Sequence, residues 1–303
     1  MARTDARMDA ELVRRGLARS RRQAVELIDA GRVRLDGRVV TKPSTPVPDG
    51  APVAVHTDPE DPGYASRAGG KLAGALDALA ADPAGQELLR AVDDGWCLDV
   101  GASTGGFTDV LLRRGARQVV ALDVGHDQLV PALRTDPRVT VVEGFNLRDL
   151  TPSDLERAPD VVVGDLSFIS LTLVLGPLAA VLSPEGHALL LVKPQFEVGR
   201  ERLGSGGVVR DPTLHAEAVL AVLRAAAGHG LRARAVVPSP LPGPSGNREY
   251  FCWFRPDGGD PAAASESAAE PADEAVAAAV AWRPGDPGTP PSVPPVLPVG
   301  GAQ

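Results

Sequence analysis

The sequence is poor in the residues that build cross-links and metal centres. Cys97 and Cys252 are the only cysteines in 303 residues, and none of the five histidines lies at a metal-ligand spacing from them. Both cysteines stand in apolar, strand-like runs, which is typical of buried thiols in a reducing compartment. We therefore expect neither a disulfide framework nor a metal site.

Long apolar segments are missing as well. No stretch approaches the roughly 20 apolar residues that cross a bilayer as a helix. The N-terminus is charged and has no apolar signal core. These absences predict a cytoplasmic protein with no membrane partner, and they argue against a membrane-lytic function.

Charge is unevenly placed along the chain. The formal net charge of −8 argues mildly against nucleic acid as a partner. Residues 1–42, however, carry 11 Arg or Lys against 6 acids, a net of +5, whereas residues 256–303 carry 1 Arg against 7 acids, a net of −6. This asymmetry points to the basic head as the part that contacts a polyanion.

Residues 1–60 are predicted to form a small basic α+β domain. Apolar residues at helical spacing predict helices over 8–20 and 21–30, and Asp36-Gly37 marks a hairpin turn. Cations on a rigid scaffold neutralise phosphates, so we expect RNA binding rather than an ordinary solvated basic surface. The RNA-binding candidates are Arg14, Arg15, Arg19, Arg21, Arg22, Arg32, Arg34 and Lys42.

After a linker at 61–66, residues 67–256 are predicted to form an α/β domain. Apolar strands alternate with helical stretches, which argues for a largely parallel sheet covered by helices. Residues 257–303 are rich in Ala, Pro and acids, so we expect most of this tail to be disordered, with a short helix near 270–282 as an option. Deleting residues 258–303 is expected to leave fold and activity intact.

A glycine-rich turn at residues 99–107 joins the first strand of this domain to a helix. Its glycines let a ligand approach the backbone, and the helix N-terminus adds donors. Ser103 stands where a dinucleotide-binding motif has its second glycine, and Asp99 would repel a pyrophosphate but suits an amino group. Asp123 can accept hydrogen bonds from both ribose hydroxyls. The turn favours S-adenosylmethionine over a dinucleotide and over a purely structural role. The expected cofactor contacts are Asp99, Gly101, Ser103, Gly105, Gly106, Asp123, Asn146 and Asp149.

Four polar residues stand at element ends around this turn: Lys71, Asp165, Lys193 and Glu249. A ribose hydroxyl attacks a sulfonium methyl group only when it is aligned and its proton has a route away. Lys193 either orients the oxygen and stabilises its developing negative charge, or acts as the base. Asp165 fixes Lys193, Lys71 holds the hydroxyl or a phosphate, and Glu249 anchors a lysine. The tetrad thus predicts methyl transfer from S-adenosylmethionine to an RNA ribose.

The chain resembles the TlyA family over residues 5–255. The carriers are DVGASTGGFTD (99–109), DLSFISL (165–171), VKPQFEVG (192–199), GGVVRD (206–211) and GPSGNRE (243–249). The resemblance implies a Rossmann-like class I methyltransferase sheet of the FtsJ type behind a small RNA-binding module. It also implies 2′-O-methylation of cytidines in ribosomal RNA, with ribosomal RNA or ribosomal subunits as partners. The complete first helix is similar to that of members acting on both 16S and 23S rRNA.

Some positions depart from the family pattern, and other functions stay open. His126-Asp127-Gln128 replaces the usual aromatic and glycine before Gln, Ala68 replaces a glycine, and Ser205 stands where lysine is frequent. None of these changes removes a tetrad member. The alternatives are a non-enzymatic RNA-binding assembly factor and, following the family's old label, a membrane-lytic hemolysin. The sequence does not indicate an oligomeric state.

Overall fold

The computed structural model describes residues 6–18, 21–29, 31–56, 62–243, 246–258, 269–284 and 294–299. The chain divides into two compact units, Met1–Ser66 (unit 1) and Arg67–Gln303 (unit 2). The division falls at the end of the predicted linker 61–66.

Unit 1 is a small α+β unit. Its described helices are α1 (Met8–Arg14) and α2 (Arg21–Asp29), and its strands are β1 (Ala6–Arg7), β2 (Val33–Leu35), β3 (Arg38–Val39), β4 (Pro46–Val47) and β5 (Val53–Val55). Strand β1 pairs with β4, and β2 lies between β3 and β5, in antiparallel pairs throughout. Apolar residues at helical spacing bury against the strands, with Met8, Leu12 and Ile28 at the centre of the core.

Helix α1 is shorter than the predicted 8–20. Gly16 adopts φ 70°, a left-handed conformation that glycine tolerates without strain. The amides of Gly16 and Leu17 then donate to Val13 O at 3.0 Å and Leu12 O at 2.8 Å, a Schellman closure that ends the helix.

Unit 2 is built on one large mixed sheet. Its strands are β6 (Trp96–Val100), β7 (Gln118–Leu122), β8 (Val139–Val142), β9 (Val161–Gly164), β10 (His187–Val192), β11 (Leu231–Pro238), β12 (Tyr250–Pro256) and β13 (Leu297–Pro298), in the order β13-β11-β12-β10-β9-β6-β7-β8. Strands β8, β7, β6, β9 and β10 run parallel, whereas β12, β11 and β13 are joined antiparallel at one end. The predicted α/β class is confirmed.

Helices cover this sheet and connect its strands. They are α3 (Arg67–Ala80), α4 (Gly85–Val92), α5 (Gly106–Arg113), α6 (Pro131–Arg134), α7 (Leu175–Val181), α8 (Pro194–Glu197), α9 (Pro212–Ala227) and α10 (Ala269–Ala281). Short 3₁₀ turns lie at Leu147–Asp149, Pro152–Asp154, Leu171–Leu173, Arg200–Arg202 and Ser205–Gly207. The strand order reverses at β6, so the carboxyl ends of β6 and β9 face a topological switch point, where α/β sheets bind ligands.

The described tail residues pack within unit 2. The optional helix near 270–282 is confirmed as α10, whereas the expectation of disorder is wrong for the described tail residues. Ala272, Ala275, Val276, Ala279 and Val280 of α10 are buried in the core that also contains residues of α9 and β11. Strand β13 extends the sheet beside β11. The alanines look like low-complexity sequence, yet with two valines they form a helical stripe whose small side chains allow close packing. Tail residues 259–268, 285–293 and 300–303 lie outside the described part. Deletion of residues 258–303 would therefore expose apolar surface and cost stability.

Candidate active site

The glycine turn between β6 and α5 forms a cradle, and the buried carboxyl group of Asp99 lies at its base. Gly101 and Gly105 adopt φ 79° and 93°, and Ser103 adopts φ 47°. The positive φ of Gly105 would strain any other residue, and a Cβ there would also lie 2.3 Å from the Leu133 side chain, so the position favours glycine. Asp99 is fully buried and accepts a hydrogen bond from Thr108 Oγ1 at 2.6 Å. Its Oδ1 atom has no hydrogen-bond partner among the described residues.

Burial raises the pKa of Asp99 to about 7, with the Thr108 hydrogen bonds opposing the rise and the charges of Asp165 and Asp123 adding to it. A buried carboxyl with one unpartnered oxygen is costly in the ligand-free protein. A cationic group of a ligand would compensate this cost by pairing with the charged form. The arrangement therefore fits an amino group at the base of the cradle.

Asp123 follows β7 on the other side of the turn. Its Oδ2 accepts the Ser103 amide at 2.8 Å, and its Oδ1 accepts the Gly125 amide at 2.7 Å. The two bonds fix the carboxylate, and each oxygen keeps a further lone pair for a hydroxyl donor. Val124 beside it is 71% exposed, an apolar surface next to a polar anchor.

Lys71 and Glu249 form a buried ion pair. Lys71 Nζ donates to Glu249 Oε2 at 2.6 Å, and their side chains are 7% and 0% exposed. Helix α3 approaches the segment before Glu249 because it carries glycines there: a Cβ on Gly70 or Gly74 would lie 2.9 Å and 2.7 Å from the side chains of Leu241 and Pro240. Local sequence thus brings together two charges that are 178 positions apart.

Lys193 and Asp165 form a second pair at the ends of neighbouring strands. Lys193 Nζ lies 2.7 Å from Asp165 Oδ1 as an ion pair and donates a hydrogen bond to Ser167 Oγ at 2.8 Å. The side chains of Lys193 and Asp165 are 7% and 15% exposed. Asp165 Oδ1 makes no hydrogen bond of good geometry within the described residues, which leaves it available to a donor.

The two pairs and the cradle meet at one sheet edge. The Asp165 amide donates to Val100 O at 3.2 Å, and a Cβ on Gly101 would lie 3.0 Å from Asp165 O. Val192 of β10 pairs with Tyr250 of antiparallel β12, so the next residues along this register, Lys193 and Glu249, stand opposite each other. Gln195 Nε2 donates to Glu249 Oε1 at 3.4 Å.

In unit 1, three of the candidate RNA-binding arginines are held by two buried acids that were not among the sequence-predicted site residues. Glu11 accepts from Arg14 and Arg15 at 2.6 Å, and Asp9 accepts from Arg21 at 2.7 Å. Hydrogen bonds from Arg7 and Arg21 lower the pKa of Asp9 to about 2, and those from Arg14 and Arg15 lower the pKa of Glu11 to about 2, although burial opposes both shifts. The acids therefore stay charged and fix the guanidinium groups on the unit surface.

The other basic candidates differ in their contacts. Arg32 Nε donates to His56 O at 3.0 Å, and Arg34 Nη1 donates to Gly37 O at 3.0 Å. Lys42 is exposed, as is Arg38, a cation that was not among the candidates. Arg19 and the side chain of Arg22 lie outside the described residues.

Comparison with known proteins agrees with this geometry. Residues 64–256 match the FtsJ-like methyltransferase model, and residues 7–53 match the S4 domain model. The chain is 55% identical over 250 residues to the 16S/23S rRNA (cytidine-2′-O)-methyltransferase TlyA of Mycobacterium tuberculosis, covering 82% of this chain and 90% of that relative. The chain belongs to the TlyA family of FtsJ-like methyltransferases.

Further relatives of this TlyA-family methyltransferase carry a different label. Hemolysin A of Brachyspira hyodysenteriae is 36% identical over 249 residues, covering 82% of this chain and 99% of that relative. A solved structure from Streptococcus thermophilus, described as a hemolysin, has a TM-score of 0.68 at 37% identity and covers 92% of this chain and 96% of its own. Within the described residues, no helix is long and apolar enough to cross a membrane.

One exposed aromatic residue of the TlyA-family chain was not among the site residues predicted from the sequence. Phe168 is 92% exposed and adopts φ 66°, a conformation that costs a non-glycine residue about 1–2 kcal/mol. Its ring lies 5.3 Å from that of Phe196, whose ring is in turn 5.8 Å from Lys193 Nζ. The left-handed backbone of Phe168 and the position of its ring beside Lys193 and Phe196 make it a candidate ligand contact. The signal available in the sequence was its place in DLSFISL.

The structure also shows the surroundings of two expected cofactor contacts, Asn146 and Asp149, and of Glu197 in the VKPQFEVG segment. Asn146 Oδ1 accepts the Arg148 amide at 3.2 Å and caps a 3₁₀ turn, while Asp149 is exposed. Glu197 accepts Ser170 Oγ at 2.5 Å and the Leu171 amide at 2.9 Å, so it holds the loop after Phe168. Among the residues described, no group of three or more His, Cys, Asp or Glu is placed to hold a metal ion.

The raised pKa of Asp99 predicts a pH-dependent stability. The pKa of Asp99 is about 7 in the folded state and about 3.8 in the unfolded state, so between these values folding takes up a proton. The stability of the ligand-free protein should therefore fall as the pH rises from about 4 to 7. Asp99→Asn should remove this penalty. We expect its stability gain over wild type to be larger at pH 8 than at pH 4 by up to about 4 kcal/mol, measured by urea unfolding.

Asp94→Asn provides the control for this measurement. Arg117 lowers the pKa of the exposed Asp94, so its replacement should change the stability with the opposite pH dependence. A gain for Asp99→Asn that does not vary with pH would show that Asp99 is already ionised across this range.

Proposed function

We propose that this protein transfers a methyl group from S-adenosylmethionine to the 2′-hydroxyl of cytidines in the ribosomal RNA of both subunits. The observation that carries the proposal is the meeting of two buried lysine–carboxylate pairs with the glycine cradle at one sheet edge. The name of the 55% identical mycobacterial relative supports cytidine and both rRNAs as targets. The S4 match supports an RNA partner, ribosomal RNA or a ribosomal subunit.

The residues of the cradle fit S-adenosylmethionine. When bound, this cofactor supplies an electrophilic methyl group on a positively charged sulfur. Asp99, with its open Oδ1, would face the amino group, and Gly101, Ser103, Gly105 and Gly106 would lie along the amino-acid part. Asp123 would accept the ribose hydroxyls, and Val124 would pack on the adenine. Asn146 and Asp149 are retained as proposed contacts of the adenine edge.

Lys193 and Asp165 are proposed to hold the target hydroxyl. Lys193 Nζ has three donors, of which Asp165 and Ser167 take two, so one remains for the 2′-oxygen. Asp165 Oδ1 pairs with Nζ at 2.7 Å and makes no hydrogen bond of good geometry among the described residues, so it can accept the hydroxyl proton beside the lysine. Low exposure of the pair strengthens its interaction with the oxyanion that develops during attack.

Lys71 and Glu249 are proposed to complete the site as a second fixed pair. Glu249 uses Oε2 for Lys71 and Oε1 for Gln195, so it links helix α3 to the segment that carries Lys193. Lys71 keeps two further N–H donors for the hydroxyl or a neighbouring phosphate. The pair thereby supplies orientation and positive charge without a mobile side chain.

Lys193→Ala should abolish methylation while leaving cofactor affinity within about twofold, because Lys193 is assigned to the hydroxyl and not to the cradle. Single-turnover methylation of rRNA transcripts and calorimetric titration with S-adenosylmethionine measure the two properties. Arg90→Ala, which removes the same charge from an exposed site on α4, is the control and should keep wild-type activity. Wild-type turnover in Lys193→Ala would refute the assignment. Absence of cytidine 2′-O-methylation by the wild-type protein would refute the function.

Phe168 is proposed to stack on the base of the target nucleotide. Stacking of one base on an aromatic ring contributes about 1–3 kcal/mol, so Phe168→Ala should lower kcat/KM for RNA about tenfold or more. Cofactor affinity and unfolding temperature should stay unchanged, because the ring is 92% exposed. Phe168→Trp should retain activity, and Leu173→Ala, which truncates another exposed apolar residue, is the control. Equal activity of the Ala and Trp variants would contradict stacking.

The surface cations of unit 1 are proposed to bind phosphates. Replacing both Arg38 and Lys42 with alanine should weaken RNA binding evenly across sequences and reduce the slope of log affinity against log salt by about 1 for each phosphate that is no longer neutralised. Filter binding at several salt concentrations gives that slope. A double variant of Arg90 and Arg232, exposed cations in unit 2, is the charge-matched control. An unchanged slope in the Arg38/Lys42 variant would remove this surface from the RNA footprint.

A further inference from the structure

The segment that carries Glu249 is held in place by contacts outside the tetrad. Asn247, two residues earlier, accepts the Val209 amide and donates to Gly207 O, both at 3.1 Å. Its carbonyl accepts the Gly243 amide at 2.7 Å. The motif GGVVRD at 206–211 therefore clamps one side of this segment.

Helix α10 holds the same segment from the tail side, through Arg248. The Arg248 guanidinium donates to Val280 O and Trp282 O at 2.6 Å each and to Ala279 O at 3.4 Å. The last carbonyls of a helix have no partner inside it and carry partial negative charge, so a guanidinium there is favourable. The same group lies 5.6 Å from the ring centroid of Tyr250. Arg248 thus connects the C-terminal end of α10 to the segment that contains Glu249 and Tyr250.

The position of Glu249 leaves little room for displacement. The residue is 2% exposed, and a Cβ on Gly243 would lie 2.1 Å from Glu249 Oε1. Its two carboxylate oxygens contact Lys71 and Gln195, so a small shift of the segment would loosen both. Displacements of about 1 Å at reacting groups can cost about 100-fold in rate.

We propose that Arg248 is a positioning residue for Glu249 and that α10 acts as an intramolecular clamp through which it works. The FtsJ match ends at residue 256, so this clamp lies beyond the matched methyltransferase core. Arg248 acts by fixing its neighbour and not by touching cofactor or RNA. The inference rests on the proposed function, because it concerns the rate of the same methyl transfer.

The test compares Arg248→Ala with Arg283→Ala in the full-length chain. Arg283 donates to two of the same carbonyls, Val280 O and Trp282 O, but is not adjacent in sequence to a tetrad residue. Arg248→Ala should lower kcat at least tenfold with KM for S-adenosylmethionine unchanged, and Arg248→Lys should recover part of the loss. Arg283→Ala should keep kcat within about twofold. Should Arg248→Ala not fold, Arg248→Gln gives the same readouts.

A double-mutant cycle tests whether the effect passes through α10. Val276 is fully buried and Ala277 beside it is exposed, so Val276→Asp undocks the helix while Ala277→Asp is its control. Val276→Asp should lower kcat as Arg248→Ala does, and the double variant should lose no more than either single variant. Additive losses, or equal kcat in Arg248→Ala and Arg283→Ala, would overturn the proposal.

Amide hydrogen exchange separates this inference from the proposed function. Arg248→Ala should speed exchange in residues 246–251 at least tenfold, whichever substrate is methylated, with residues 118–122 of β7, which pair with β6 and β8 only, unaffected. Unchanged exchange in that segment would overturn the clamp even in an active enzyme. Wild-type protein that shows the exchange effect but no methylation would overturn the function and leave the clamp intact.

Discussion

The site depends on keeping four charges buried as two neutral pairs. Each lysine of Lys71–Glu249 and Lys193–Asp165 is largely removed from water, where an isolated charge is very costly. Pairing offsets that cost, and removal of one partner from such a pair leaves an uncompensated charge worth about 3–5 kcal/mol of destabilisation. The four residues therefore stabilise the fold in addition to the chemical role that we propose for them. The stability of any variant at these four positions must therefore be measured before a lower methylation rate is attributed to the loss of a catalytic group.

The parallel sheet makes this arrangement reachable for residues far apart in the chain. Asp165 and Lys193 directly follow β9 and β10, so the carboxyl edge collects them beside the end of β6. Glu249 arrives from the opposite direction, just before antiparallel β12. A purely parallel sheet would place the residue before a strand at the far edge. The antiparallel strand thus brings Glu249 to the same edge as the residues that follow the parallel strands.

Much of the sheet and of the candidate site could be predicted, because short local segments of the sequence encode them. Strand-end positions and a glycine turn are visible in the sequence, and the sheet edge joins them by a general rule. Phe168 was missed since neither its exposure nor its positive φ follows from residue type. Asp9 and Glu11 were missed because acids in a basic stretch suggest neutralised surface, whereas here they bury and organise arginines. The packing of α10 and β13 was not predicted, although a helix near 270–282 was an option, because an alanine-rich composition does not reveal the surface against which it packs.

The formal net charge was the least useful predictor of RNA binding, because it does not show which charged groups are buried. A carboxylate such as Glu11, which is 5% exposed at its side chain, contributes to the formal charge of −8 yet presents little field to an approaching polyanion. Arg14, its partner, is 57% exposed and presents its outer edge to solvent. A pair that sums to zero on paper is therefore a dipole with its positive end outward. The potential that steers RNA depends on which member of each pair is buried, and only the folded unit determines that.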